Sequence, residues 1–323
     1  MTGRGRRRER WMRGLSLLIL AVVAVLLARY ARSVDWPAVG TALAAYRPGR
    51  LVAAAVLGAL SYLLYSGYDI AARAYTGHEL STRRVIAIAL VSYAFNLNLG
   101  ALVGGGGLRY RLYTRYGLRG GTIVRIIVFS IVTNWSGYLL LAGGVFILGL
   151  VVLPEGFAPG STSPRILGAL MMAAIVGYLL LCAFGHGRTW KLRGTAFAPP
   201  SLPLAGVQLA LSSANWLAIA AILFVLLEQR VDYPSLLGVV LLGAVAAAMT
   251  HIPAGLGALE AVFIVLLGSR IAQADLLAAL LAYRALYYLA PLLLAAVVYV
   301  AFESRGGGAG RARCMAGGGR GLR

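Results

Sequence analysis

The sequence predicts an all-α, polytopic membrane protein with about six full spans and two oppositely oriented re-entrant hairpins. Hydrophobic residues make up 60% of its 323 positions and charged residues only 12%, too few charges to cover a soluble domain of this size. Several apolar runs reach the roughly 20 residues that a bilayer demands. Two further runs are broken in the middle by glycine or proline, and each has flanks that belong together on one side of the membrane.

Residues 1–13, "MTGRGRRRERWMR", form a basic N-terminus expected in the cytoplasm. The run 14–32 reads as an uncleaved first span; Ala31–Ser33 also loosely fits a small-x-small cleavage site, crowded by Arg29 and Arg32. Further spans are expected at 51–72, 122–153, 166–185, 203–227 and 276–302, so that 14–302 forms one transmembrane domain. The first interrupted run covers 85–108. Its flanks, "RAYTGHELSTRR" (73–84) and Arg109–Arg125, are both rich in arginine, so both belong in the cytoplasm. A hairpin breaking near "NLNLGALVGGGG" satisfies both flanks, whereas a simple crossing exports most of the 30 basic residues. The second interrupted run, 235–269, lies between "EQRVDYP" and "SRIAQAD", which are poor in basic residues and expected outside. Its arms of about 15 residues are roughly 22 Å as helix, short for a crossing. It reads as a hairpin entering from the opposite face, or as two short spans. Residues 303–323 are low in complexity and expected as a disordered cytoplasmic tail.

Span, hairpin, span (51–153) is thus followed by span, hairpin, span (203–302) in the opposite sense, a possible inverted repeat. Broken helices at matching places in two inverted halves point to a transport site near the bilayer midplane. The net charge of +20 does not signal nucleic acid, because no polar domain exists to carry such a site. Cys182 and Cys314 make neither a disulfide framework nor a metal site. No phosphate-binding GxxxxGK[ST] loop occurs, and the ten acidic residues are scattered. No cofactor, metal or enzymatic activity is expected.

The residues around the breaks carry the candidate chemistry. At about 100° per residue, Arg111 and Arg115 share one helical face, while Arg109 falls among Leu108, Leu112, Tyr113 and Tyr116. Arg115 reads as a headgroup anchor; Arg111 fits either an anchor or a binding role. Arg109, nearest the break and on the apolar face, is the candidate to hold a phosphate bidentately. The glycines 104–107 permit a sharp turn and exposed N–H groups, and the half-helix after them would aim its positive end at the same anion. Asn96 and Asn98 fit best as partners for backbone opened by the break. In the second hairpin, Pro253 suits a first helical turn, Gly255 and Gly257 allow close approach, and His251 reads as a polar neighbour of the break. Glu260, one turn on, needs a partner or a cavity inside a membrane. In the last span, Arg284 with Tyr287, Tyr288 and Pro291 extends a polar stripe inward, and pairing with Glu260 or an anionic substrate is expected. Asp69 reads as a helix-terminus residue.

"NLNLGALVGGGGLRYRLYTRYGL", "HIPAGLGALEAVFIVLL" and "YRALYYLAPLLL" together resemble the lysylphosphatidylglycerol synthase transmembrane-region family over most of residues 50–302. The resemblance implies a multi-pass protein of the bacterial or archaeal cytoplasmic membrane, termini inside, that moves phospholipid or another anionic lipid between leaflets. It places substrate contacts at Gly105, Gly106, Arg109, Tyr110, Arg111, Glu260, Arg284, Tyr287 and Tyr288. Pro253, Gly255, Gly257 and Pro291 match the same motifs. No soluble synthase domain is expected. A lipid-binding or scaffold subunit, alone or in a homo-oligomer, and a membrane-embedded lipid-phosphate or lipid-sugar transferase are the alternative readings.

Overall fold

The computed structural model describes residues 36–150, 162–185, 189–192, 195–250 and 255–300, together with Arg32. The basic N-terminus, the run 14–32 apart from Arg32, His251, Pro253 and the tail 303–323 lie outside the described residues.

Among the described residues five helices are long and apolar enough to cross a membrane: Pro48–Thr76, Gly120–Ile147, Ser163–Phe184, Leu202–Leu226 and Gln273–Val300. They correspond to five of the expected spans. In chain order the elements are α1 (Trp36–Ala45), α2 (Pro48–Thr76), α3 (Thr82–Gly100), a π-helical segment (Ala101–Leu108) and α4 (Arg109–Arg115). After them come α5 (Gly120–Ile147), α6 (Thr162–Phe184), β1 (Trp190–Leu192), β2 (Thr195–Phe197) and α7 (Leu202–Leu226). The chain continues through α8 (Tyr233–Thr250), α9 (Ala258–Leu267), α10 (Gln273–Tyr283) and a second π-helical segment (Arg284–Leu289). Beyond this segment the helix resumes over 290–300. The antiparallel β1–β2 ribbon, with Lys191 opposite Ala196, is a small departure from the all-helical pattern.

The expected span 122–153 stops early, at Ile147. Gly149 takes φ 65°, and the Leu150 and Gly149 N–H groups bond back to the Val145 and Phe146 carbonyls. That pattern is a Schellman stop, which a glycine in the left-handed region permits.

Both interrupted runs fold back on themselves. In the first, the reversal falls at Gly100, where φ is 82°. The π-helical segment then returns along α3 so closely that a Cβ on Gly104 would lie 2.2 Å from the Phe95 carbonyl oxygen. The Arg84 guanidinium lies 5.2 Å from the centre of the Tyr116 ring, which puts the two ends of this hairpin together. In the second, α8 and α9 pack against each other; a Cβ on Gly243 would meet Leu259 at 2.6 Å, and one on Gly255 would meet Ala247 at 2.6 Å.

The hairpins start from opposite ends of the molecule. Arg50 pairs with Glu228, Arg230 pairs with Asp275, and the Tyr46 hydroxyl donates to the Leu226 carbonyl, so 46–50, 226–233 and 270–275 share one end. At the other end Arg73 donates to Thr82, the Tyr75 hydroxyl to the Ala198 carbonyl, and Arg125 to the Tyr75 carbonyl. Helices α2 and α7 pack along each other and run antiparallel between these ends. Small residues let spans approach, as expected where lipid supplies no hydrophobic drive. A Cβ on Gly137 of α5 would fall 2.4 Å from the Ser212 hydroxyl of α7. The lipid-facing side is apolar, with Val52, Val56, Leu60 and Leu63 of α2 exposed and most of α6 turned outward.

Candidate functional site

Between these spans the core is polar. Ser61, Tyr62, Tyr65, Ser66 and Asp69 recur every three to four residues along α2, so one face of that helix carries them all inward. Across from them α7 presents Gln208, Ser212 and Asn215 in the same rhythm, all buried.

The first buried charge pair lies on this face. Asp69, the last member of this stripe, is wholly buried about two turns before the end of α2 and is not a helix-terminus residue, contrary to the sequence expectation. Its oxygens accept hydrogen bonds from the Tyr113 and Ser130 hydroxyls, each at 2.9 Å. Arg109 is 2% exposed, with its Nε 3.4 Å from the Asp69 carboxylate and its Nη2 3.4 Å from the Tyr65 hydroxyl. Both contacts are long for a charged pair, whose N–O distances normally fall near 2.7–2.9 Å. The Arg109 Nε has no hydrogen-bond partner among the described residues. Asp69 is therefore satisfied chiefly by hydroxyls, and Arg109 keeps donor capacity in reserve.

The second pair is tight. Arg284, 3% exposed, donates from Nε and Nη2 to the two oxygens of Glu260 at 2.7 and 2.9 Å, and from Nη2 to the Gly255 carbonyl at 3.3 Å. Glu260 also accepts the Gly257 N–H at 2.9 Å, closing the start of α9, where Gly257 has φ 83°. The expected Glu260–Arg284 pairing is present.

The two pairs are joined through aromatic hydroxyls. Tyr65 stacks on Tyr93 with ring centres 3.7 Å apart. The Tyr93 and Tyr287 hydroxyls are 2.7 Å apart, and Ser61 bridges Tyr287 to Asn215 at 2.6 and 2.7 Å. Pro291 has no N–H to offer the Tyr287 carbonyl one turn before it. The Tyr62 hydroxyl takes that carbonyl at 3.2 Å, and Asn98 takes the neighbouring Tyr288 carbonyl at 3.2 Å. Proline and π-helical winding thus open backbone that side chains from other helices fill. A further polar atom in this core, the Ser92 hydroxyl, is buried with no partner among the described residues, while the Tyr68 hydroxyl faces Ser212 and Asn215 without a well-formed bond to either. Such an unsatisfied buried hydroxyl carries a desolvation cost of about 1–3 kcal/mol.

Several sequence expectations are corrected by this geometry. The turn belongs to Gly100, whereas Gly105 and Gly106 lie in the returning helix, with Gly105 pressed against the Asn96 side chain. The π-helical segment runs straight into α4, and the Arg109 N–H bonds to the Gly106 carbonyl, so the positive end of the returning helix lies at Ala101 and not beside Arg109. Tyr110 is 43% exposed and points away, its hydroxyl beside Gly120. Arg111 is half-buried on the far face of α4. Asn98 serves the opposite unit as well as its own helix, donating to the Ala94 and Tyr288 carbonyls. Sequence reasoning read Asp69 only as a helix-terminus residue and passed over the roles of Tyr113, Ser130 and the tyrosines of α2, although the spacing of Tyr62, Tyr65 and Asp69 marks one face. Among the described residues no three His, Cys, Asp or Glu side chains gather as a metal site would need.

Fold and site together define the class: a polytopic α-helical membrane protein built of two antiparallel span–hairpin–span units around buried charge pairs. The chain belongs to the lysylphosphatidylglycerol synthase transmembrane-region family, whose pattern it matches over residues 15–295. It is 46% identical over 292 residues to inner membrane protein YbhN of Escherichia coli, covering 90% of this chain and 92% of that protein. It is 32% identical over 259 residues to protein slr0712 of Synechocystis, covering 79% and 80%. It is 23% identical over 252 residues to the phosphatidylglycerol lysyltransferase of Staphylococcus aureus, a match that takes in 75% of this chain and 28% of that enzyme.

Proposed function

We propose that this protein moves a phospholipid, or a related anionic lipid, between the leaflets of a bacterial cytoplasmic membrane. The observation that carries the reading is Arg109: a buried guanidinium in the hairpin's return arm, beside partners too distant to use its donors fully. A phosphodiester fits such a group, because planar N–H donors match its oxygens. A charged headgroup cannot cross hydrocarbon without losing its hydration, and the hydroxyls from Tyr65 to Tyr287 offer replacement contacts across the interior. Arg284, already paired with Glu260, is the second station; a headgroup phosphate there exchanges with the carboxylate. Two hairpins entering from opposite ends suit alternating access.

The relatives support the setting. One is named for the inner membrane, and another for a reaction on phosphatidylglycerol, a phospholipid. The matched part of the lysyltransferase is about a quarter of that enzyme, so its transfer reaction is not carried over to this chain. We assign the end bearing Arg73, Arg84 and Arg125 to the cytoplasm by the positive-inside rule, and both termini inside is the arrangement we propose.

The test is reconstitution in liposomes with labelled phosphatidylglycerol, phosphatidylethanolamine and cardiolipin. Wild-type protein is expected to carry at least one of them to the opposite leaflet, and Arg109→Ala and Arg284→Ala to slow it about tenfold or more. Lipid movement at an unchanged rate in both variants would refute the site; wild-type vesicles no faster than empty ones would refute the function. In that last outcome, a lipid-binding subunit of a larger assembly becomes the better reading.

A further inference from the structure

Asp69 and Arg109 are electrically neutral only as a pair. A lipid phosphate that takes Arg109 leaves two anions against one guanidinium in a wholly buried place, a state that membranes strongly disfavour. Little else near Asp69 can compensate. From its own helix Tyr65 and Arg73 approach, and Arg73 is held at the surface by Thr82 at 2.7 Å. From α4 come Arg109 and Tyr113, from α5 the uncharged Ser130, and from the loop after α2 the imidazole of His78. Of the other helices packed on α2, α3 brings Tyr93 and α7 brings Ser212 and Asn215, none of them charged, while the second π-helical segment brings Tyr287 and Arg284, the latter already paired with Glu260.

We propose that Asp69 is a proton-binding site coupled to the lipid: it takes up one proton as a phosphate occupies Arg109 and gives it back when the phosphate leaves. This rests on the lipid reading above and names the coupling ion of that site. The step forms one O–H bond on the Asp69 carboxyl and breaks none within the protein. The Ser130 hydroxyl, which now donates to Asp69, can turn to accept from the new acid.

A supply route lies alongside. His78 sits at the arginine-rich end, its ring 5.9 Å from that of Tyr113, whose hydroxyl already donates to Asp69. His78 Nδ1 accepts the Leu80 N–H at 3.3 Å, so the neutral ring carries its proton on Nε2, a buried atom with no partner among the described residues. Burial, and then Arg73, hold this imidazole below its usual value, so it is neutral near pH 7 and releases an acquired proton readily.

The experiment is isothermal titration of the full chain in detergent with dihexanoyl phosphatidylglycerol below its micelle concentration, in two buffers of different ionisation enthalpy. The difference between buffers reads protons taken up per lipid bound. Wild type is expected to take up about one, and its affinity to fall about tenfold per unit rise in pH. Asp69→Asn is expected to bind with no uptake and a flat pH profile, and His78→Gln to keep the stoichiometry. Binding by wild type without uptake, uptake undiminished in Asp69→Asn, or no binding at all would each overturn the proposal. If Asp69→Asn does not fold, Ser130→Ala replaces it: the carboxylate loses a donor, so the pH range over which lipid binding takes up a proton is expected to move upward, and an unmoved range opposes the proposal. The translocation assay stands apart from this test. Lipid that crosses with no proton bound sinks the coupling alone, and proton-linked binding without crossing sinks the translocation alone.

Discussion

Arg109 and Arg284 are both buried arginines facing carboxylates, yet they differ in how fully they are held. The Arg284–Glu260 contact is forked and short, with a third bond to the Gly255 carbonyl; the Arg109–Asp69 contact is single and long. The difference sets opposite expectations for substitution. Glu260→Gln leaves a buried guanidinium without its counter-charge, a loss of about 3–5 kcal/mol, to be read as a fall in the melting temperature in detergent. Arg109→Lys keeps the charge and loses the planar fork; lipid movement is expected to fall about tenfold with the fold intact, measured in the same liposome assay. Tyr287→Phe removes the hydroxyl that joins Ser61 to Tyr93, with a stability loss of about 1–3 kcal/mol. Arg109, Glu260 and Arg284 were legible in sequence because charge inside an apolar run has few innocent explanations. Asp69 was not, because it sits four residues from Arg73 and reads as the polar end of a span. Only the arrival of Tyr113 and Ser130 from other helices shows it to be interior.

Among the elements, the first hairpin depends on glycine for closeness more than for turning. Gly104→Ala puts a methyl group 2.2 Å from the Phe95 carbonyl oxygen, a clash with backbone that cannot swing aside. Gly106→Ala meets its nearest neighbour at 3.5 Å, ordinary contact. The first variant is expected to lower the melting temperature and abolish lipid movement, and the second to behave like wild type; equal behaviour of the two would contradict the packing described. The spans were readable because apolar length is set by the bilayer, and the hairpins because glycine breaks and arginine-rich flanks disagreed with a crossing. The π-helical segments were not readable, since one extra residue per turn leaves no mark in a hydrophobic pattern. Helix α1 was also missed: ten residues packed on α10 are too short to stand out beside full spans.

For the molecule as a whole, the arrangement assigns each end a side. Cysteine placed at Leu118 is expected to react with a membrane-permeant maleimide and resist an impermeant one in intact cells, and cysteine at Ala272 to react with both. Cys182 is buried and should stay silent; Cys314 is replaced by serine in the background. Labelling of position 118 by the impermeant reagent would invert the assignment. This antiparallel plan could be inferred from the alternation of basic and non-basic connections, but its meeting point could not. Both hairpins reach the same short piece of the last span: Asn98 holds the Tyr288 carbonyl, and Arg284 holds the Gly255 carbonyl and Glu260. Six residues, Arg284–Leu289, are thus a shared hinge pin for two doors. Under the proposed translocation, swinging one door aside would leave the pin still gripped by the other, so that a headgroup could pass without both thresholds standing open to ions at once.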